Sequence, residues 1–437
     1  MLKYIIVVDC LENNIAFVVY YQKDNIYSFN ALIGAIEIEK RLSTFKIYFL
    51  RGESNLIHSL HKISLIHKKV ILGISFFTTQ IWEISELIKK LRKHYDRNLL
   101  IVGGGPHPSG DPLGTLKMGF DLVVIGEGEE TIIDLLLKFK EGEDIYTIKG
   151  IGYLNSKDNF VSTGKREPIN LDAYPPLPKR SPKFGAIEIT RGCPYMCYFC
   201  QTSFLFGTQP RHRSIVSICQ ALEFMKKYKK TDIRFITPNA FSYGSFDGKE
   251  LNLPKLEELL KQTKNIIGPG GRVFLGSFPS EVRPEHVTKE SIELIINYAS
   301  NDNIVIGAQS GSDVILDSCH RGHSVKDVYD AVQLTINSGL KANVDFIFGL
   351  PYETDKDVNL SLTFMKELSS MGAKIHAHTF MPLPNTPYSN VPIKKLTNKF
   401  KKQIRVLNSR GVLYGNWRQQ EKLATKIYNY LKDNKME

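Results

Sequence analysis

The segment "TRGCPYMCYFCQTS" (Thr190–Ser203) places Cys193, Cys197 and Cys200 within eight residues, spaced C-x3-C-x2-C, in a chain of 437 residues with six cysteines. The remaining cysteines, Cys10, Cys219 and Cys319, are scattered, which is not the layout of a disulfide framework. A reducing compartment fits this usage. Three thiols packed so closely point to a metal or a cluster. A structural zinc site wants four closed ligands; no CxxC or HxxxH partner stands nearby, and His212 is the only close candidate for a fourth. Thiolates are soft ligands suited to iron–sulfur clusters, and three of them leave one iron of a cubane cluster without a protein ligand. An iron left open in this way is a place to bind something.

The thiols directly follow an apolar run, "FGAIEIT" (184–190), the first of six strand candidates. The others are "IRFIT" (233–237), "RVFLGSFP" (272–279), "NIVIGAQS" (303–310), "ANVDFIFGL" (342–350) and "KIHAHTF" (374–380). Between them, residues 214–229, 251–264, 286–299, 324–338 and 356–371 have helical periodicity. Six βα units over residues 184–390 predict a barrel-like parallel sheet of the TIM type, either open at six strands as a partial (β/α)6 barrel or extended elsewhere, with the three thiols on the loop at its catalytic mouth.

Upstream, a second α/β pattern predicts a doubly wound, Rossmann-like domain over residues 1–148. Its strand candidates are Tyr4–Val8, Ala16–Tyr20, Lys46–Leu50, Val70–Ser75, Leu99–Val102 and Leu122–Ile125, with helices at Phe29–Arg41, Ile81–His94 and Glu130–Lys140. Glycine-bearing turns follow three of these strands: "GISFFTT" (73–79), "GGGPHPSG" (103–110) and "IGEGEE" (125–130). Residues 149–183 end in the proline-rich "DAYPPLPKRSPK" and read as a semi-rigid interdomain linker.

The net charge of +12 is concentrated at the C-terminus, where residues 391–437 hold twelve Lys or Arg against three acids. This stretch reads as a short basic helical tail with a solvated charged face. No run of about 18 apolar residues is present, and the opening "MLKYIIVVDCLENN" is unlike a secretory signal, so the expected location is cytoplasmic.

"TRGCPYMCYFC" resembles the signature of the radical S-adenosylmethionine superfamily, with Phe199 just before the last cysteine. The resemblance covers residues 184–390 and implies a 4Fe-4S cluster on Cys193, Cys197 and Cys200. It further implies that the amino and carboxylate groups of S-adenosylmethionine chelate the fourth iron, and that one electron from the cluster yields a 5′-deoxyadenosyl radical. Residues implied to meet that cofactor are Phe199, Asn239 of "TPNAFSYG", Ser277 and Arg283 of "GSFPSEVRP", Gln309 and Ser310 of "IGAQSGS", and Gly349 of "DFIFGLPYET". "TPNAFSYG" departs from the common GGEP form, and Asn385 replaces the usual glycine in "FMPLPNTPYS". No residue is assigned here as the catalytic acid or base.

A doubly wound domain, a proline linker and a radical barrel in series resemble the cobalamin-binding subclass. On that resemblance Ser75 and Thr79 would hold the nucleotide tail, and Gly103, Gly104, Gly126, Glu127 and Gly128 would lie against the corrin. DxHxxG, which supplies a histidine to cobalt in many corrinoid proteins, occurs nowhere in the chain, and His107 reads as a loop-stabilising residue. Methylthiotransferases share similar stretches but draw a second cluster from three N-terminal cysteines, where this chain has only Cys10.

The expected function is a cobalamin-dependent radical enzyme, methylating an unactivated carbon of a small-molecule or lipid-like substrate. An external donor such as ferredoxin or flavodoxin would supply electrons, and nucleic acid is not an expected partner. The alternatives are a radical enzyme that carries out a rearrangement or joins carbons without methylation, and a non-catalytic corrinoid or iron–sulfur sensor.

Overall fold

The structure, a computed structural model, describes residues 15–95 and 99–433; the expected strand Tyr4–Val8 and Cys10 lie outside these. The chain divides into two compact units, Met1–Gly185 and Ala186–Glu437.

In the first unit the strands are β1 (Ile15–Tyr20), β2 (Lys46–Leu50), β3 (Lys69–Ser75), β4 (Leu99–Gly104), β5 (Leu122–Val124), β6 (Ile151–Leu154) and β7 (Phe160–Ser162). They form one sheet in the order β2-β1-β3-β4-β5-β6-β7, parallel through β5 and antiparallel beyond it. Strand β1, "IAFVVY", is buried at every position. An unbroken apolar run of this kind suits a strand covered on both faces. Ala16, Val18 and Tyr20 point into one core, with Leu56, Leu60, Ile84, Leu87 and Leu91 from the helices α2 (Glu53–Ile66) and α3 (Ile81–His94). Phe17 and Val19 point into the other, with Phe29, Ile33 and Ile36 of α1 (Ile26–Ile38). The strand order reverses between β1 and β3, so their carboxyl ends flank a crevice of the kind that takes ligands in open α/β sheets.

Residues 149–183 differ from the expected linker. Strands β6 and β7 extend the sheet, and Glu37 on α1 accepts backbone N–H groups from Lys179, Arg180 and Ser181 at 2.6–2.8 Å. The proline cluster is therefore held on the first unit. The polar turn between β6 and β7 hides the two short strands from a periodicity reading.

The second unit is an arc of parallel strands. β8 (Ile187–Glu188), β11 (Asp232–Ile236) and β12 (Arg272–Phe274) form one sheet, and β13 (Asn303–Gln309), β14 (Lys341–Phe348), β15 (Lys374–Thr379) and β16 (Leu413–Tyr414) form another. A parallel bridge between Val282 and Ile306 joins them, with Val282 N–H donating to the Val305 carbonyl at 2.8 Å. A short antiparallel pair, β9 (Thr190–Arg191) with β10 (Arg211–His212), closes the base of the cysteine loop. Alternate residues of β14 and β15 are buried: Phe346 meets Phe364 of the helix Asp355–Ser370. Asp345, His376 and His378 occupy the opposite, half-open face.

The C-terminal stretch is helical, as read from the sequence, but it is not merely solvated. β16 pairs with β15, and the helices Asn398–Ser409 and Trp417–Asp433 bury Phe400, Ile404, Leu407, Trp417, Ile427 and Leu431. The lysines that dominate its composition occupy the outer faces of amphipathic helices. No helix among the described residues is long and apolar enough to cross a membrane.

Candidate active site

The cysteine loop starts at Gly192, whose φ of +90° and whose missing Cβ, which would lie 2.4 Å from the Gln209 carbonyl, admit only glycine. Cys193 N–H then bonds the Gly207 carbonyl at 3.1 Å, and Ser203 Oγ donates to the Cys193 carbonyl at 2.6 Å. Cys197 is buried, while Cys193 and Cys200 are partly exposed. Burial pushes the Cys200 thiol up to about 11 and raises Cys193 as well. Phe199 packs beside Ile315, Cys319, Leu350 and Tyr388.

His212 is excluded as a fourth ligand by its own bonds, Nδ1 to Thr190 Oγ1 at 2.9 Å and Nε2 to the Ser245 carbonyl at 2.8 Å.

Around the thiols lies a buried polar network that the sequence reading reached only in part. Arg321 directs Nη1 to Cys197 Sγ at 3.6 Å, Nη2 to the Gly307 carbonyl at 2.8 Å and Nε to His323 Nε2 at 3.1 Å. Arg283 lies with its guanidinium carbon 3.4 Å from the Tyr195 ring centre, pairs with Glu285 through Nε and donates Nη2 to the Arg321 carbonyl. Ser277 Oγ, Arg283 Nη1 and Glu285 Oε2 are buried and unpartnered. Orphaned buried polar atoms are costly, so a site that keeps a donor and an acceptor in reserve is prepared for a ligand with both kinds of group. An α-amino acid moiety has that complement.

The other expected cofactor contacts divide. Asn239 is spent within the protein: its Oδ1 accepts from Arg283 N–H at 3.2 Å and its Nδ2 bonds His286 Nδ1 at 2.6 Å, so it positions the Arg283 loop. Gln309 sits buried at a strand bulge with φ +72°. Ser310 Oγ is taken up by Ser312 N–H at 3.2 Å and by Ser361. Gly349 is crowded by its own chain, since a Cβ there would lie 2.9 Å from the Lys394 carbonyl. Its N–H bonds Glu353, whose carboxyl burial pushes up to about 7. Asn385 adopts φ +61°, so asparagine holds the left-handed turn expected of glycine.

In the first unit the loops after β3, β4 and β5 converge. Asn25 Nδ2 donates to the carbonyls of both Tyr20 and Ser75 at 2.9 and 3.0 Å, tying the ends of β1 and β3 at the crevice. Ser75 is buried and Thr79 exposed; between them Thr78 Oγ1 meets His107 Nδ1 at 3.2 Å. Open space faces Gly104 and Gly126, where an added Cβ would find nothing nearer than 4.0 and 3.9 Å. Gly103 and Gly128 instead make room for Phe120 and Thr115 at 3.1 Å and for Leu32 at 3.0 Å. Glu127 accepts from Ile169 N–H at 3.1 Å, a bond within the unit.

Burial pulls His107 down to about 3, against an ordinary value near 6.5. Between those values the unfolded chain binds a proton that the folded chain does not, so stability drops as pH falls through this window. Thermal melts should therefore show Tm falling from about pH 6.5 toward pH 4, with a shallower slope in His107→Gln. Equal slopes would mean that the ring is already charged in the fold.

The Radical SAM superfamily model matches residues 187–365, and the B12 binding domain model matches residues 63–136. An uncharacterized methyltransferase of Pyrococcus horikoshii is 26% identical over 331 residues, 72% of this chain and 68% of that one. The radical S-adenosylmethionine methyltransferase TsrM of Kitasatospora setae, solved with cobalamin and a [4Fe-4S] cluster, aligns over 86% of this chain and 74% of its own, with TM-score 0.68 and 16% identity. The cobalamin-dependent S-adenosylmethionine radical enzyme OxsB covers 93% of this chain and 57% of its own, with TM-score 0.63 and 17% identity. Residues 187–365 thus carry a radical S-adenosylmethionine domain, and residues 63–136, ahead of it, a B12-binding domain.

Proposed function

We propose that the protein is a cobalamin-dependent radical S-adenosylmethionine methyltransferase acting at an unactivated carbon. The observation that carries this reading is the three-thiol loop with an orphaned Arg283 Nη1 and Glu285 Oε2 beside it. When bound, a 4Fe-4S cluster supplies the electron that cleaves S-adenosylmethionine, and cobalamin supplies a carrier for the methyl group.

Everything else is done by the chain itself. Cys193, Cys197 and Cys200 would hold three irons. Arg283 Nη1 would take the cofactor carboxylate and Glu285 Oε2 its ammonium, with Ser277 Oγ available as a further partner. Tyr195, under the Arg283 guanidinium, holds that fork in place. Ser75, Thr79, Gly104 and Gly126 would receive the corrin. Gly103, Gly128, Glu127, Asn239, Ser310 and Gly349 support the reading as framework rather than contact.

The pairing of a B12-binding domain with a relative named a methyltransferase favours methyl transfer over rearrangement. Anaerobic reconstitution with iron, sulfide and cobalamin, followed by mass analysis of products, tests it. Both 5′-deoxyadenosine and S-adenosylhomocysteine are expected. Deoxyadenosine without the homocysteine product would overturn methyl transfer, and neither product would favour a sensor.

A further inference from the structure

On the half-open face of the second unit's arc, β14 and β15 bring three metal-binding side chains together. Strand alternation in "KIHAHT" puts His376 and His378 on one face, and the parallel register sets Asp345 beside His376. Asp345 Oδ1 lies 2.9 Å from His376 Nδ1, and that same nitrogen lies 3.2 Å from His378 Nε2. All three ligand atoms fall within 4.8 Å of one another.

Protons alone serve this arrangement poorly. His376 Nδ1 has one in-plane valence: it can donate to Asp345 or accept from His378, not both. A cation accepts lone pairs from all three at once. Ligand atoms around a tetrahedral zinc with bonds near 2.0–2.1 Å stand roughly 3.3–3.4 Å apart, against 2.9 and 3.2 Å for the two pairs that meet at His376 Nδ1.

The surroundings are those of a supported site. Tyr414 stacks on His376 with ring centres 4.6 Å apart at 9°. The buried Glu281 carboxyl stands near Asp345 from the neighbouring strand connection. Gln420 Nε2 lies 3.3 Å from His378 Nδ1 while its Oε1 holds Thr379 N–H. Ligation through His378 Nε2 puts the ring proton on Nδ1, so metal binding would give up the Gln420–His378 contact while Gln420 keeps Thr379 N–H.

We propose that Asp345, His376 and His378 bind one divalent first-row transition ion of the zinc class. Two histidines and one carboxylate leave coordination positions open, the pattern of zinc and non-haem iron sites that take a further ligand. Asp345 pairs in register with Gly307, whose carbonyl accepts from Arg321, and Arg321 also reaches Cys197, so an oxygen or nitrogen donor held on that ion would lie in the same interior as the cysteine loop. Only this last step rests on the radical-enzyme reading.

The test uses the full-length chain carrying Cys193→Ala, Cys197→Ala and Cys200→Ala, so that no cluster confuses the metal analysis. After equilibration with zinc and gel filtration, about one zinc per chain is expected, and Co(II) in its place should give visible absorption bands. His378→Ala and the near-isosteric Asp345→Asn should each weaken zinc binding by at least about 100-fold, since even orienting partners are worth about 10–100-fold. Zinc should raise the melting temperature of the parent and not of either variant, with unchanged metal-free Tm as the check on folding. No retained zinc, or parent-like affinity in both variants, would overturn the site without touching the proposed radical chemistry.

Discussion

Replacing Cys197 with alanine should abolish the iron–sulfur chromophore and S-adenosylmethionine cleavage, whereas replacing Cys219 should leave both in place. The loop is built so that its cysteines cannot substitute for one another. Cys200 N–H bonds the Cys197 carbonyl at 2.9 Å, and Tyr198 N–H bonds the Cys319 carbonyl at 3.0 Å, which fixes where each side chain leaves the turn. Cys319 is buried near the loop, but burial holds its thiol up to about 12, and its Sγ is engaged by the Leu316 carbonyl at 3.4 Å. Iron and sulfide analysis after anaerobic reconstitution should fall from about four irons per chain to background. A variant that still cleaved S-adenosylmethionine would overturn the assignment of the cysteines.

Arg321→Leu should cost about 1–3 kcal/mol of stability, the range for leaving buried hydrogen-bonding groups without their partner. Arg321 is 6% exposed, and its guanidinium serves Cys197, the Gly307 carbonyl and His323 together. Its charge also offsets Glu281, whose carboxyl is pushed well above the ordinary range by burial and held back by Arg321. Leucine fills much of the volume but leaves the Gly307 carbonyl without this donor and removes one of the two arginine charges that act on Glu281. Denaturant unfolding measures the loss, and Arg321→Lys should recover part of it, since lysine restores charge without the planar fork. In the reconstituted protein, losing an N–H···S bond to Cys197 should shift the cluster potential downward. A loss below about 1 kcal/mol would mean that the network is solvated rather than buried.

The residues that sequence reading located best are those whose pattern is local. Strand β1, the helix Ile81–His94 and the spacing of Cys193, Cys197 and Cys200 declare themselves within a few residues, because apolar periodicity and ligand spacing are short-range properties. Arg321 and Glu281 had no such signal. "CHRGHS" and "SEVRP" hold ordinary surface-type residues, and only the folding of two distant segments buries their charges together. Asn239 stood out by position, but its engagement with Arg283 and His286 is a tertiary fact that no local pattern shows. The C-terminal stretch misled for a different reason: twelve basic residues outweigh in composition the few apolar ones, Phe400, Ile404, Trp417 and Ile427, that anchor it.

By itself the amino-acid sequence determined that a doubly wound α/β unit precedes a βα arc, and that three thiols follow the first strand of that arc. These follow from periodicity and spacing, which survive without knowledge of contacts. Only the tertiary structure decided which polar groups are spent and which are held in reserve. Arg283 Nη1, Ser277 Oγ and Glu285 Oε2 are available because their neighbours take up the other bonds, and burial makes that availability costly enough to mean something. The Asp345, His376 and His378 group arises in the same way, from strand register that joins residues about thirty positions apart.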